Sequence, residues 1–219
     1  MVTNTLSSPH IVQLLDRLFS EADASEPALE AVSRSSVSSL ITSRTAYREF
    51  YGLLRDVPLP VSRETGTLLY MLARSTRAQS ILEFGTSFGV STIYLAAALR
   101  DDGGGRIITT EFESSKAARA RGNLTEAGLI DLVEIREGDA LETLTQDLPD
   151  CLDLVLLDGA KALYVDILDR IEGCLRPGSL VLADDAHRCP EFVDRVRSNG
   201  KRYLCVPLSG DLEMCMRLP

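Results

Sequence analysis

The sequence predicts an α/β fold, a doubly wound and mostly parallel sheet with helices on both faces, and three observations carry the prediction. Short apolar runs alternate with segments of helical periodicity along most of the chain. Several of these runs end in a glycine or an acidic residue, where an α/β sheet presents its carboxyl edge to ligands. Finally, the stretch from Ser80 to Leu95, SILEFGTSFGVSTIYL, joins a strand to a helix through a pair of glycines.

At 219 residues and 45% hydrophobic, the chain can bury one substantial core. The net charge of −9 argues against a nucleic-acid or anionic-membrane surface, since such partners need clustered Lys and Arg. Small molecules are the expected partners. The five cysteines, at 151, 174, 189, 205 and 215, form no CxxC pair and no metal-finger spacing, so they read as reduced thiols of a cytoplasmic protein. The first residues, MVTNTLSSPH, lack the basic start and apolar run of a secretory signal, and no segment suits a bilayer.

In chain order, Ile11 to Phe19 places its apolar residues at helical spacing. The Ser- and Ala-rich stretch that follows suits helices interrupted by flexible joints, serving as packing, an oligomer contact or a substrate lid. Pro58 and Pro60 break the pattern and divide a helical cap, residues 1–60, from a sheet domain, residues 61–219. Ser62 reads as the N-cap of a helix from about Arg63 to Arg74, leading into the first strand at Ile81.

The glycine turn is not GxGxxG, because Gly85 and Gly89 leave TSF between them, and no Lys-Ser or Lys-Thr pair follows as in a P-loop. Ser91 and Thr92 enter the next helix, where backbone N–H groups and the positive helix end favour an anionic or nucleotide-like ligand. Glu111 closes the second strand, RIITTE. An acid there can accept both hydroxyl hydrogens of a ribose. A helix from about Ser115 to Ala127 follows, and a third strand then turns at Gly138 and Asp139. Asp139 can accept from an adenine amino group or cap the helix that follows it. Two further apolar strands end in Asp158 and in Asp184 with Asp185. Three crowded carboxylates call for a compensating cation, and oxygen-only donors suit magnesium, with manganese or calcium as substitutes. The alternative is that one of these acids caps a helix or faces solvent.

Together LEFGTSFG, TTEFE, GDA, LLDGAK and RPGSLVLADDA resemble the class I S-adenosylmethionine-dependent methyltransferases, and most closely the catechol O-methyltransferase-like family, from about Val61 onward. The resemblance implies a Rossmann-like, seven-stranded sheet and S-adenosylmethionine as methyl donor. It implies that Glu83 and the Gly85 to Gly89 turn cradle the methionine part, with Ser91 near its carboxylate, Glu111 on the ribose and Asp139 near the adenine. Asp158, Asp184 and Asp185 would bind magnesium, Asp158 also bordering the donor, and Lys161 would be the general base. For Lys161 the competing reading is an exposed helix-start lysine paired with Asp158.

The resemblance further implies a small catechol-like aromatic acceptor and a homodimer. The chain departs from the family in carrying Asp185 where Asn is usual, so that either the metal is held more tightly or Asp185 is not a ligand. The family's acidic clamp for the second substrate hydroxyl has no clear match; Asp211 and Glu213 are candidates by residue type. His187 either reaches the metal or substrate or faces solvent. The rival functions are a metal-independent methyltransferase acting on another hydroxyl or an amine, a nicotinamide oxidoreductase, and a non-catalytic donor-binding protein.

Overall fold

Five strands run parallel: β1 (Ser80–Phe84), β2 (Arg106–Glu111), β3 (Val133–Glu137), β4 (Leu152–Leu157) and β5 (Leu175–Ala183). A hairpin of β6 (Tyr203–Pro207) and β7 (Glu213–Arg217) completes a seven-stranded sheet, with β7 antiparallel to both β5 and β6. The order is β3-β2-β1-β4-β5-β7-β6. The strand order therefore reverses between β1 and β4, the switch point at which such sheets open a crevice. This is a computed structural model describing residues 4–34, 40–198, 200–208 and 212–219.

The strand pleat explains why continuous apolar runs are needed. Along β4, Leu154 and Leu156 join one core, while Val155 and Leu157 join the other, because successive side chains point to opposite faces. The first core is closed by α1 (Pro9–Ser33), α3 (Arg63–Thr76), α4 (Val90–Asp101) and α5 (Ser114–Glu126). The second is closed by α6 (Ala140–Thr143), α7 (Tyr164–Ile171) and α8 (Pro190–Arg197), with Tyr47 from α2 (Tyr47–Gly52) at its edge. Ser62 caps α3 as its sequence predicts, accepting from the Thr65 N–H at 3.0 Å.

The first helix runs well past the Ile11 to Phe19 stretch that its apolar spacing marks. From Pro9 to Ser33 it is one helix of 25 residues that passes through Pro27. Pro27 lies on the exposed side, where its missing N–H removes a single internal bond. The buried residues of α1, Ile11, Leu14, Leu15 and Leu18, all lie in its first half. Its second half extends toward a satellite cluster of Phe50, Leu54 and Val57, against which Leu29 packs.

The cysteine reading is corrected in part. In the β6–β7 hairpin Cys205 lies directly opposite Cys215, and the two form a disulfide. Cys151, Cys174 and Cys189 are free. An odd count says nothing about which two residues a hairpin brings face to face, so the cysteine argument for a reducing compartment loses its basis. Among the described residues no helix is long and apolar enough to cross a membrane.

Candidate active site

The turn after β1 is held open by glycine and supported from beneath by a buried acid. Gly85 has φ +103°, and a Cβ there would come within 2.6 Å of the Asp158 carbonyl, so the backbones after β1 and β4 touch. Glu83 is fully buried under the turn. Its carboxylate accepts hydrogen bonds from Ser91 Oγ at 2.6 Å, Thr92 Oγ1 at 2.5 Å and Thr109 Oγ1 at 2.6 Å. Burial raises the Glu83 pKa, an effect these three hydroxyls oppose. Glu83 and Ser91 thus brace the turn from below, tying the start of α4 to β1 and β2. Gly89, in the left-handed region at φ +84°, begins α4.

Above the turn lies a cavity at the carboxyl edge. Gly85, Glu111, Asp139 and Asp158 all border it, whereas Glu83, Gly89 and Ser91 do not. Each Glu111 oxygen accepts one backbone N–H, from Ser87 at 2.9 Å and from Glu113 at 3.0 Å. Those bonds fix the carboxylate while leaving lone pairs for a ligand. Asp139 does two jobs: it caps α6 through the Leu141 N–H at 2.9 Å and pairs with Arg48 from the N-terminal segment. Tyr47 and Phe112, edge to face at 6.4 Å, supply aromatic wall.

A second, more open cleft adjoins the first, and the two share Tyr51, Leu59 and Asp158 as common wall. It collects Asp158, Lys161, Asp184, Asp185 and Arg188 from the sheet edge, roofed by Ala22, Asp23, Glu26 and Leu29 of α1. Lys161 is only 5% exposed, not the solvent-facing lysine of the competing reading. Its Nζ donates to Asp158 Oδ1 at 3.1 Å and to the Tyr164 hydroxyl at 2.9 Å, and lies 3.8 Å from Asp185 Oδ2. The Tyr164 hydroxyl in turn donates to the Asp184 carbonyl at 2.9 Å. Burial pushes the Asp158 carboxyl up to about 7, against the pull of Lys161 and helped by Asp184. Burial alone would lower the Lys161 pKa, yet Tyr164, Asp158, Tyr51 and Asp184 outweigh it and hold the ammonium well above the ordinary lysine range.

These carboxylates fit a hard divalent cation by donor type and by charge, since one lysine offsets only part of three acids. Among the described residues their oxygens do not all lie within 4.8 Å of one another, and Lys161 sits between Asp158 and Asp185. His187 is exposed and does not border the cleft, while its neighbour Arg188 does. Glu213 is 3% exposed, away from both cavities, and held by two bonds from Arg197 at 2.8 and 2.7 Å. Asp211 falls outside the described residues.

Residues 82–186 match a Methyltransferase domain family. The catechol O-methyltransferase of Niastella koreensis is 36% identical over 139 residues, covering 62% of this chain and 62% of that protein. The catechol O-methyltransferase of Mycobacterium tuberculosis is 35% identical over 130 residues, 59% of this chain and 58% of the relative. The matches therefore span about three fifths of these relatives' own lengths. Over this central segment the chain is similar to the catechol O-methyltransferases. The solved O-methyltransferase TomG of Streptomyces achromogenes, in complex with S-adenosylmethionine, is 27% identical with a TM-score of 0.66, covering 89% of this chain and 96% of that one.

The matched segment starts in β1 and ends just past Asp185, so it takes in every acid named above on the sheet edge. Two cavity-lining residues escape a reading of the sequence. Lys116, 4% exposed, borders the first cavity, and among the described residues it makes no hydrogen bond or ion pair; burial lowers its pKa. A cation in the first turn of a helix runs against the macrodipole, which is the signal that marks it. Tyr51 belongs to YREFYG, whose aromatic density stands out from its Ser-rich surroundings.

Proposed function

We propose that the protein is an S-adenosylmethionine-dependent, divalent-metal-dependent O-methyltransferase acting on a small catechol-like aromatic. The observation that carries this reading is the pair of cavities meeting at Asp158, Tyr51 and Leu59, with Lys161 at the junction. A group-transfer enzyme needs donor and acceptor in adjoining sites, so that the reacting atoms meet in line. The first cavity takes the donor: Glu111 accepts from the ribose hydroxyls, Asp139 borders the adenine, and the Gly85 turn admits the methionine part against the backbone. Glu83 and Ser91 act on the donor through the turn they support. The second cleft takes the acceptor under the roof of α1.

In the reaction a lone pair of the acceptor oxygen forms a bond to the donor's methyl carbon. The carbon–sulfur bond breaks toward sulfur, converting the sulfonium to a thioether, and the hydroxyl proton passes to Lys161 Nζ in its neutral form. Asp158, Asp184 and Asp185 would hold a magnesium ion, whose chemistry is to lower the pKa of a bound hydroxyl and fix its position. A second positive charge beside Lys161 also opposes the ammonium that Asp158 now favours. Metal-independent transfer is the competing reading, favoured by the Lys161 bridge between Asp158 and Asp185.

Titration calorimetry with S-adenosylhomocysteine tests the donor assignment. The wild-type chain is expected to bind, and Glu111→Gln to weaken binding about tenfold, the value of one lost charge-assisted hydrogen bond. Equal affinities would remove Glu111 from the donor site.

A further inference from the structure

A cation that holds both oxygens of a vicinal diol does not by itself decide which of them is methylated. One hydroxyl is methylated, and unless the other is fixed the ring can present either oxygen to the donor. The tail does not supply a partner for that hydroxyl from Glu213, which is buried off the cleft in its pair with Arg197. The polar groups that the sheet edge brings to the junction are already committed. Lys161 donates to Asp158 and Tyr164, the Tyr164 hydroxyl donates to the Asp184 carbonyl, and Asp185 lies between Lys161 and Arg188.

Tyr51 is the exception. It borders both cavities, and among the described residues its hydroxyl makes no hydrogen bond, unlike that of Tyr164, which is engaged on both sides. The ring is fixed edge to face against Phe50 at 5.2 Å, and Phe50 is itself 3% exposed within the cap cluster. A rigid ring with an unengaged hydroxyl at the point where two cavities meet is a positioning device: the aromatic body costs little entropy to hold, and the oxygen both donates and accepts. The carboxylates around it are acceptors only, so a neutral hydroxyl supplies what they lack. Burial pushes the phenol up to about 12, which keeps that donor proton in place at neutral pH.

We propose that the Tyr51 hydroxyl hydrogen-bonds the acceptor oxygen that is not methylated, and so selects which of the two oxygens of a diol faces the donor. The assignment rests on the acceptor reading above. It moves the second clamp from the C-terminal tail to the N-terminal cap, so that α2 shapes the regiochemistry.

The test is methylation of 3,4-dihydroxybenzaldehyde, whose two hydroxyls give distinguishable products, by the full chain with S-adenosylmethionine and magnesium. Tyr51→Phe keeps the ring and its Phe50 contact. It is expected to raise KM for the aldehyde about tenfold, the value of one hydrogen bond, and to move the two products toward equal amounts. S-adenosylhomocysteine affinity should stay within about twofold. Tyr51→Leu, which removes the ring as well, should give the same product ratio. An unchanged ratio in Tyr51→Phe overturns the proposal, as does a shift confined to Tyr51→Leu, which would assign selectivity to packing. If the wild-type chain binds S-adenosylhomocysteine yet methylates no catechol, the acceptor reading fails and the Tyr51 assignment with it.

Discussion

Lys161→Met is expected to lower kcat by about 10²- to 10⁴-fold, the range a positioned general base contributes, while S-adenosylhomocysteine affinity stays within about twofold. Methionine keeps most of the stem's volume, so the packing around a side chain that is 5% exposed survives while the nitrogen is lost. Removal of the charge also leaves Asp158 and Asp185 without the ammonium that now lies 3.1 and 3.8 Å away. A merely structural lysine would show itself differently, through a lower melting temperature and weaker donor binding at undiminished kcat. Stopped turnover with intact donor affinity separates the two roles.

Glu83→Ala is expected to be the most destabilising single change in the domain. The side chain is fully buried and is the shared acceptor for Ser91, Thr92 and Thr109, themselves buried. Its removal leaves a cavity and three hydroxyls with a lost partner, together about 3–5 kcal/mol. For a chain of this size that is a fall of roughly 6–20 °C in the melting midpoint. Glu83→Gln keeps the volume and one acceptor oxygen and should lose less. Donor affinity should fall with stability, because the Gly85 turn rests on this carboxylate. A midpoint that moves by under about 2 °C in Glu83→Ala would contradict the bracing role.

The sheet is legible because a parallel strand buried on both faces is predominantly apolar, and the run from Leu154 to Leu157 shows this most fully. The edge chemistry is legible for the same reason: an acid such as Glu111 or Asp158 at the end of a buried run has only the carboxyl edge to occupy. What is not legible depends on partners distant in sequence. The Cys205–Cys215 bond exists because a hairpin sets two residues opposite each other, which no count reveals. Pro27 argues for a break locally, yet α1 continues because its anchor lies a dozen residues earlier. Glu83 shows the limit within the site itself: residue type and position suit a ligand contact, and only the three hydroxyls converging on it reveal a support beneath the turn. Tyr51 and Lys116 become visible only when the cavities do.

Methyl transfer from S-adenosylmethionine to a panel of small catechols, with magnesium and again with excess chelator, tests the central claim most directly. Turnover is expected with magnesium, lost on chelation and restored by added metal. Equal turnover in both conditions would contradict it, leaving Lys161 and its carboxylates to work without a cation.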